Sequence, residues 1–256
     1  MSVRRFTGER LHEGDSLFGV DLARHLAAYA WARDRIRGGR VLDLGSGAGH
    51  GAAFLSGADA SVFAVDRVAP DPQPAAGGTH FLRADIDALP LADRSFDLIL
   101  SFQVIEHLID PGSYLDAIAR LLRADGDAIL TTPNVLLSDA VNPYHVHEYE
   151  AEELALRLRE HFEEVEMFGV GMTPAVRAYM AARSRRIRRI VRLDPLRLRE
   201  RLPRALVLRL FAGFALLVRR ATSRREGAPD ASWRDFPVGP SEPDCVDLLA
   251  LCRRPR

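Results

Sequence analysis

Lysine is absent from this 256-residue chain, so all 35 of its basic residues are arginine. That excludes a lysine nucleophile, a Schiff base and the phosphate-binding lysine of a Walker-type loop. Cysteine is nearly absent as well. Only Cys245 and Cys252 occur, close together near the end, where neither a disulfide framework nor a zinc cluster fits, so buried reduced thiols are expected. No run of about 18 uncharged apolar residues exists to cross a bilayer. The start, Met1-Ser2-Val3-Arg4-Arg5, leads into polar sequence rather than an apolar leader, and a cytoplasmic location is expected. No metal site is expected.

Net charge is zero, but the charges are unevenly spread. From Pro174 to Arg225 stand 16 arginines against only Asp194 and Glu200, so the remainder is correspondingly acidic. Such a split marks an organisational boundary.

The first two thirds alternate short apolar runs with helical patterns, the signature of a doubly wound, mostly parallel α/β sheet. Val41–Leu44, Val62–Val65, His80–Leu82, Phe96–Ser101 and Ala128–Thr131 read as strands, with helices at 48–55 and 113–123 and a loop at 70–78. A further helix is read at 151–161. Glu164–Val170 and Cys245–Cys252 complete the set. The 73 residues from Gly171 to Pro243 hold the arginine-rich stretch. The expected division is N-terminal cap helices over 1–39, a core over 40–170 and 244–256, and a helical insertion over 171–243.

In an open parallel sheet the ligand lies beyond the carboxyl ends of the strands. There stands Asp43-Leu44-Gly45-Ser46-Gly47-Ala48-Gly49, whose three glycines allow a tight turn with backbone amides aimed at a ligand. Glycines alone leave a dinucleotide open, although the sixth position counted from Gly45 is His50 and from Gly47 is Ala52. Asp43 decides against it, because a carboxylate at the turn repels a pyrophosphate and suits an ammonium. Asp66 ends the second strand, placed to accept from two ribose hydroxyls. Asp85 follows the third, placed to accept from an adenine amine while Ile86 packs on the ring. These three acids suit a ligand that combines amine, ribose and adenine.

The ordered segments Val41–Gly49, Ala64-Val65-Asp66, Ala84-Asp85-Ile86 and Ser95–Ser101 resemble those of class I S-adenosylmethionine-dependent methyltransferases. Phe102-Gln103-Val104-Ile105-Glu106-His107-Leu108 is similar to the Glu-His-Leu segment of ubiquinone-biosynthesis-like and related small-molecule O-methyltransferases. The resemblance implies a seven-stranded Rossmann-like sheet with an antiparallel last strand, S-adenosylmethionine as methyl donor, and a cofactor set of Asp43, Gly45, Ser46, Gly47, Gly49, Asp66, Arg67, Asp85, Ile86, Phe102 and Gln103. Arg5-Phe6-Thr7-Gly8-Glu9-Arg10 resembles a segment of bacterial methyltransferases associated with glycan assembly, where it caps the cofactor. Thr131–Asn134 and Asn142–Tyr149 look like the fifth-strand exit and active-site loop of the same group.

Methyl transfer from a sulfonium is a displacement that needs alignment and exclusion of water rather than a protein nucleophile. A hydroxyl acceptor gains from a general base. The candidates are His107, His145 and His147. The expected acceptor is a small molecule or glycan, methylated at oxygen. A non-catalytic cofactor-binding module of a biosynthetic complex and an NAD-dependent oxidoreductase are the alternatives.

The insertion reads as helices with a basic and an apolar face. Over 179–218 it fits a solvated lid, a homodimer surface, or a helix on an anionic inner-membrane face with Leu206, Leu210, Phe211, Phe214 and Leu217 in the interface. No nucleic-acid module accompanies it, so no specific nucleic acid is expected.

Overall fold

The computed structural model describes residues 18–68, 79–139, 142–191 and 204–256. The cap segment Arg5–Arg10 and the loop at 70–78 lie outside them, as do Arg192 and Arg201 of the basic stretch. In chain order the strands are β1 (Arg40–Leu44), β2 (Ser61–Asp66), β3 (Thr79–Arg83), β4 (Phe96–Phe102), β5 (Leu122–Pro133), β6 (Phe162–Val170), β7 (Val238–Pro240) and β8 (Asp247–Pro255). They form one sheet in the order β3-β2-β1-β4-β5-β8-β6-β7. Strands β1 to β5 pair in parallel, whereas β8 runs antiparallel between β5 and β6.

The helices are α1 (Gly19–Arg33), α2 (His50–Phe54), α3 (Pro111–Leu121), α4 (Ala151–Arg159), α5 (Pro174–Val191) and α6 (Arg204–Glu226). Side chains alternate across the central strands, because successive Cβ atoms point to opposite faces. Leu42, Ile99, Ala128, Leu130, Leu248 and Ala250 face the α3 and α4 side. Val41, Leu98, Leu100, Ile129, Leu249 and Leu251 face α1 and α2. Burial on both faces explains why these strands are near-continuous apolar runs. Cys245 and Cys252 are free thiols in this core.

Among the elements that differ from expectation are β7, α3 and β5, and the last strand, expected at Cys245–Cys252, runs over Asp247–Pro255. Strand β7 adds an eighth member to the expected seven, pairing Val238 with Val170 and Pro240 with Phe168 at the sheet edge. It lies at the end of the stretch expected to be a helical insertion, and three residues flanked by Pro237 and ending on Pro240 show no alternation to detect; an edge tolerates the missing amide. Helix α3 begins at Pro111, two residues early, because the Asp110 side chain accepts from the amides of Gly112 at 3.1 Å and Ser113 at 3.2 Å and proline suits the first turn. Strand β5 begins at Leu122, ahead of the apolar run, through the polar residues Arg123 to Asp127.

Helices α5 and α6 pack on each other and on α1. Arg186 donates to Thr222 Oγ1 at 2.6 Å, and the Tyr179 and Ser223 hydroxyls lie 3.3 Å apart. Val176 and Tyr179 of α5 join Val20, Ala23 and Ala27 of α1, with Val170 and Phe236, in a third apolar cluster. Beneath it the buried Asp21 carboxylate receives Arg183 at 2.8 Å and Arg219 at 3.0 Å. Burial raises the pKa of Asp21, but the two guanidiniums outweigh that and hold it well below the usual carboxylate range.

Candidate active site

A cleft of about 780 Å³ opens beyond the carboxyl ends of the parallel strands. Its floor is the turn between β1 and α2. Gly45, Gly47 and Gly49 all have left-handed backbones, with φ of 85°, 58° and 87°, where a side chain would be strained. A Cβ on Gly45 would stand 2.5 Å from Val104 Cγ2, whereas one on Gly47 would meet nothing within 4 Å. Gly47 therefore offers bare backbone to the cleft. Gly49 caps α2 and does not line the cleft, while Gly45, Ser46 and Gly47 do.

Asp66 lines the cleft at the end of β2. Its carboxylate accepts from the Gly47 amide at 2.9 Å and the Val68 amide at 2.8 Å, which ties the glycine turn to the second strand. Arg67 lines the cleft beside it, and Asp85 and Ile86 line it after β3.

Asp43 lies beneath the turn and is not among the cleft-lining residues. Tyr29 of α1 donates to its Oδ1 at 2.9 Å, and its buried Oδ2 has no partner. Burial pushes its pKa up to about 7 against the opposing Tyr29 bond, and the nearby Asp66 charge adds to the rise. Tyr29 reaches this position because Gly51 leaves room. A Cβ there would come within 1.8 Å of the Tyr29 ring.

Phe102 and Gln103 line the cleft at the end of β4. The Phe102 ring meets Tyr29 edge-on at 4.6 Å. Gln103 has φ of 57°, a conformation costly for a non-glycine residue that persists where its surroundings fix it. Here Arg24 donates to Gln103 Oε1 at 3.1 Å and Gln103 Nε2 donates to Asp247 at 3.2 Å, while Arg24 also grips both Asp247 oxygens at 2.6 and 2.7 Å.

The histidines divide. His107 lines the cleft, its Nδ1 3.1 Å from the Tyr144 carbonyl. Burial pulls its pKa down, against the pull of that carbonyl, and the neighbouring His145 lowers it further. His145 also lines the cleft, its ring 5.0 Å from that of His107 and its Nδ1 2.5 Å from Glu148 Oε1. His147 does not line it. The side chain of His147 is 51% exposed and bonds Glu153 at 2.6 Å.

Sequence reasoning passed over Glu106, although it sits in the quoted segment. It is fully buried, accepts from Thr132 Oγ1 at 3.0 Å through Oε2, and leaves Oε1 without a partner. Burial pushes its pKa up to about 7. An acid inside the apolar run Val104-Ile105-Glu106-His107-Leu108 was the available signal. Asp21, Arg24 and His25, three and four residues apart on an apolar helix, share one face and all line the cleft. That spacing too was legible.

The glycine turn, the acids after β2 and β3 and the strand order define a nucleoside-binding Rossmann-like site of the methyltransferase kind. Residues 19–170 match the model of a methyltransferase domain family. A probable S-adenosylmethionine-dependent methyltransferase of Mycobacterium tuberculosis is 31% identical over 185 residues, 69% of this chain and 68% of that one. A malonyl-[acyl-carrier protein] O-methyltransferase of Pseudescherichia vulneris is 37% identical over 95 residues, 36% of this chain and 38% of that one. Among solved structures, an S-adenosylmethionine-dependent methyltransferase of Thermotoga maritima shares the fold, with a TM-score of 0.57 over 93% of this chain and 92% of that one at 16% identity. The chain belongs to the class I S-adenosylmethionine-dependent methyltransferases, and S-adenosylmethionine is its cofactor.

Proposed function

We propose that this methyltransferase acts on a hydroxyl oxygen of a small-molecule or glycan acceptor, with the cluster of Glu106, His107 and His145 receiving the proton. The observation that carries this reading is His107. Its Nδ1 faces the Tyr144 carbonyl and so bears the hydrogen, which leaves the lone pair on Nε2 of a ring that lines the cleft. A pKa lowered by burial keeps that imidazole neutral at pH 7 and able to accept a proton. The relative that acts on malonyl-[acyl-carrier protein] is itself an O-methyltransferase, which supports oxygen as the target.

Bound S-adenosylmethionine supplies an electrophilic methyl on a sulfonium. Gly45, Ser46 and Gly47 bring backbone against it, Asp66 accepts from its ribose, and Asp85 and Ile86 meet its adenine. Arg67, Phe102 and Gln103 border the same space. Asp43, set below the turn, acts by fixing the loop through Tyr29. Over the acceptor side, Met180 and Ile187 of α5 and Phe211, Phe214 and Val218 of α6 form an apolar wall. Such a wall excludes water and suits an acceptor with an apolar body.

The proposed division is a cap over 1–39, a core over 40–170 and 244–256, and an insertion over 171–243 whose α5 and α6 supply that wall. With Phe211 and Phe214 on the cleft, Leu210 and Leu217, 56% and 64% exposed, are left for an anionic membrane or a second copy of the chain. Among the described residues no helix is long and apolar enough to cross a membrane. Vesicle flotation with and without anionic lipid tests peripheral attachment.

Turnover with methyl-labelled cofactor against sugar, phenol and carboxylate acceptors tests the main reading. An O-methyl product is expected. A product methylated at nitrogen or carbon refutes the oxygen target; cofactor binding with no turnover on any acceptor favours the non-catalytic module.

A further inference from the structure

The second half of the active-site cluster has a feature that proton transfer alone does not use. Both imidazoles are held the same way round. His107 turns Nδ1 to the Tyr144 carbonyl and His145 turns Nδ1 to the Glu148 carboxylate. Both acceptors require hydrogen on Nδ1, so both rings carry their lone pair on Nε2. A histidine that ligates a metal is oriented in this manner, its other ring nitrogen donating to a carboxylate or a backbone carbonyl. Within reach of both rings stands Glu106, whose Oε1 is buried without a partner. An unpaired buried oxygen is costly, and a cation satisfies it. One ligand atom from each of the three residues lies within 4.8 Å of the other two.

We infer that Glu106, His107 and His145 form a binding site for one divalent transition-metal cation on the acceptor side of the cleft. Two imidazoles and one carboxylate suit Zn²⁺ or Mn²⁺ better than Mg²⁺ or Ca²⁺, which favour oxygen ligands throughout. Metal bonds of about 2.0–2.2 Å bring the ligand atoms closer than they now stand. The adjustment falls on the 142–149 loop. There the Asn142 amide, 2.7 Å from His145 Nε2, gives way to the cation. Once the cation displaces the proton that burial leaves on Glu106, this carboxylate and that of Glu148 together supply two negative charges, which match a divalent ion. Three protein ligands leave open positions facing the cleft, where an acceptor oxygen can bind and, its pKa lowered by the cation, release its proton to solvent. The two imidazole lone pairs are then on the metal, so His107 and His145 take the proton only in the metal-free protein. This consequence for turnover rests on the oxygen-acceptor reading; the binding of the cation does not.

The test uses full-length protein freed of metal by chelator, titrated calorimetrically with Zn²⁺, Mn²⁺ and Mg²⁺ in turn. S-adenosylhomocysteine affinity is measured on the same samples. One Zn²⁺ or Mn²⁺ per chain is expected, with Mg²⁺ weaker. Glu106→Gln and His145→Gln each lower the affinity more than about tenfold, and Glu148→Gln, which loosens the His145 ring, lowers it about tenfold or more. S-adenosylhomocysteine affinity within about twofold of the parent shows that each variant is folded. The loop variant His145→Gln keeps the test decisive should Glu106→Gln fail to fold. Absence of a single tight site in the parent overturns the inference, as does binding that His145→Gln and Glu148→Gln leave unchanged. Should the parent methylate an oxygen acceptor equally well without metal, the acceptor reading stands and the metal's part in turnover falls. Should it bind metal and methylate nitrogen, the reverse holds.

Discussion

Replacing Asp43 by asparagine is expected to flatten the fall of stability with pH. The folded protein holds a proton on this carboxyl up to about pH 7 because burial disfavours the charge. The unfolded chain releases it near pH 4. Between those values the folded state binds more protons than the unfolded one, so stability is greatest below the unfolded pKa and declines as pH rises through the folded pKa. At 1.36 kcal/mol per pH unit, the decline between pH 5 and pH 8 amounts to about 3 kcal/mol. In a chain of this length that corresponds to a melting temperature lower by roughly 6–10 °C. The asparagine side chain keeps the Tyr29 hydrogen bond and has no charge to desolvate. Other buried groups tilt both proteins alike, so the difference between the two curves isolates Asp43. The assay is thermal unfolding of cofactor-free, chelator-treated protein at half-unit pH steps. Parallel curves for parent and Asp43→Asn would refute the reasoning, because they would mean that the carboxylate is ionised in the folded state.

Asp21→Asn leaves Arg183 and Arg219 without their buried counter-charge, and about 3–5 kcal/mol of stability is expected to be lost in urea unfolding; a loss below about 1 kcal/mol would show the cluster to be solvated. Gly51→Ala and Gly47→Ala are expected to differ in kind. The first drives a Cβ into the Tyr29 ring and costs about 1–3 kcal/mol of stability. The second meets no protein atom, costs about 1 kcal/mol through its left-handed backbone, and shows mainly as weaker cofactor binding in calorimetry; equal effects of the two on affinity would contradict the geometry. His107→Ala is expected to lower kcat about a hundredfold or more with cofactor affinity retained. His147→Ala, on a side chain turned to solvent and Glu153, leaves kcat within a few fold, and steady-state kinetics of the pair decides which histidines act.

The central strands were legible because both faces of β1, β4 and β8 are buried, so apolar identity persists residue after residue with no alternation to misread. The glycine turn was legible for a chemical reason, since Gly45, Gly47 and Gly49 each adopt a backbone that other residues avoid. What escaped depends on contacts distant in sequence. Asp43 reads as a ligand-facing acid from its place after a strand; only packing shows that Tyr29, 14 residues earlier and on another element, lies between α1 and that carboxyl. His107 and His145 are 38 residues apart, and nothing in either segment announces that their rings meet. His147 was indistinguishable from His145 in sequence. One residue separates them, yet the chain turns so that the first enters the cleft and the second faces Glu153.

The charge asymmetry takes on a different meaning once the partners are in place. A basic stretch suggests an external anion, a lipid face or a phosphate, and an acidic remainder suggests nothing in particular. In the fold the two halves meet. Arg183 and Arg219 reach Asp21 of α1, Arg177 reaches Asp244 at 2.8 Å and Arg188 reaches Asp139 at 3.5 Å. Each pair joins the insertion to an acid outside it. The exposed pairs contribute little, but the buried Asp21 cluster cannot be formed without seating α5 and α6 on α1. That seating is what turns Phe211 and Phe214 toward the cleft. Part of the arginine content therefore serves to hold an apolar wall over the acceptor, and α1 works from both ends: Asp21 anchors the wall, Arg24 fixes Gln103, and Tyr29 supports the turn that receives the methyl donor.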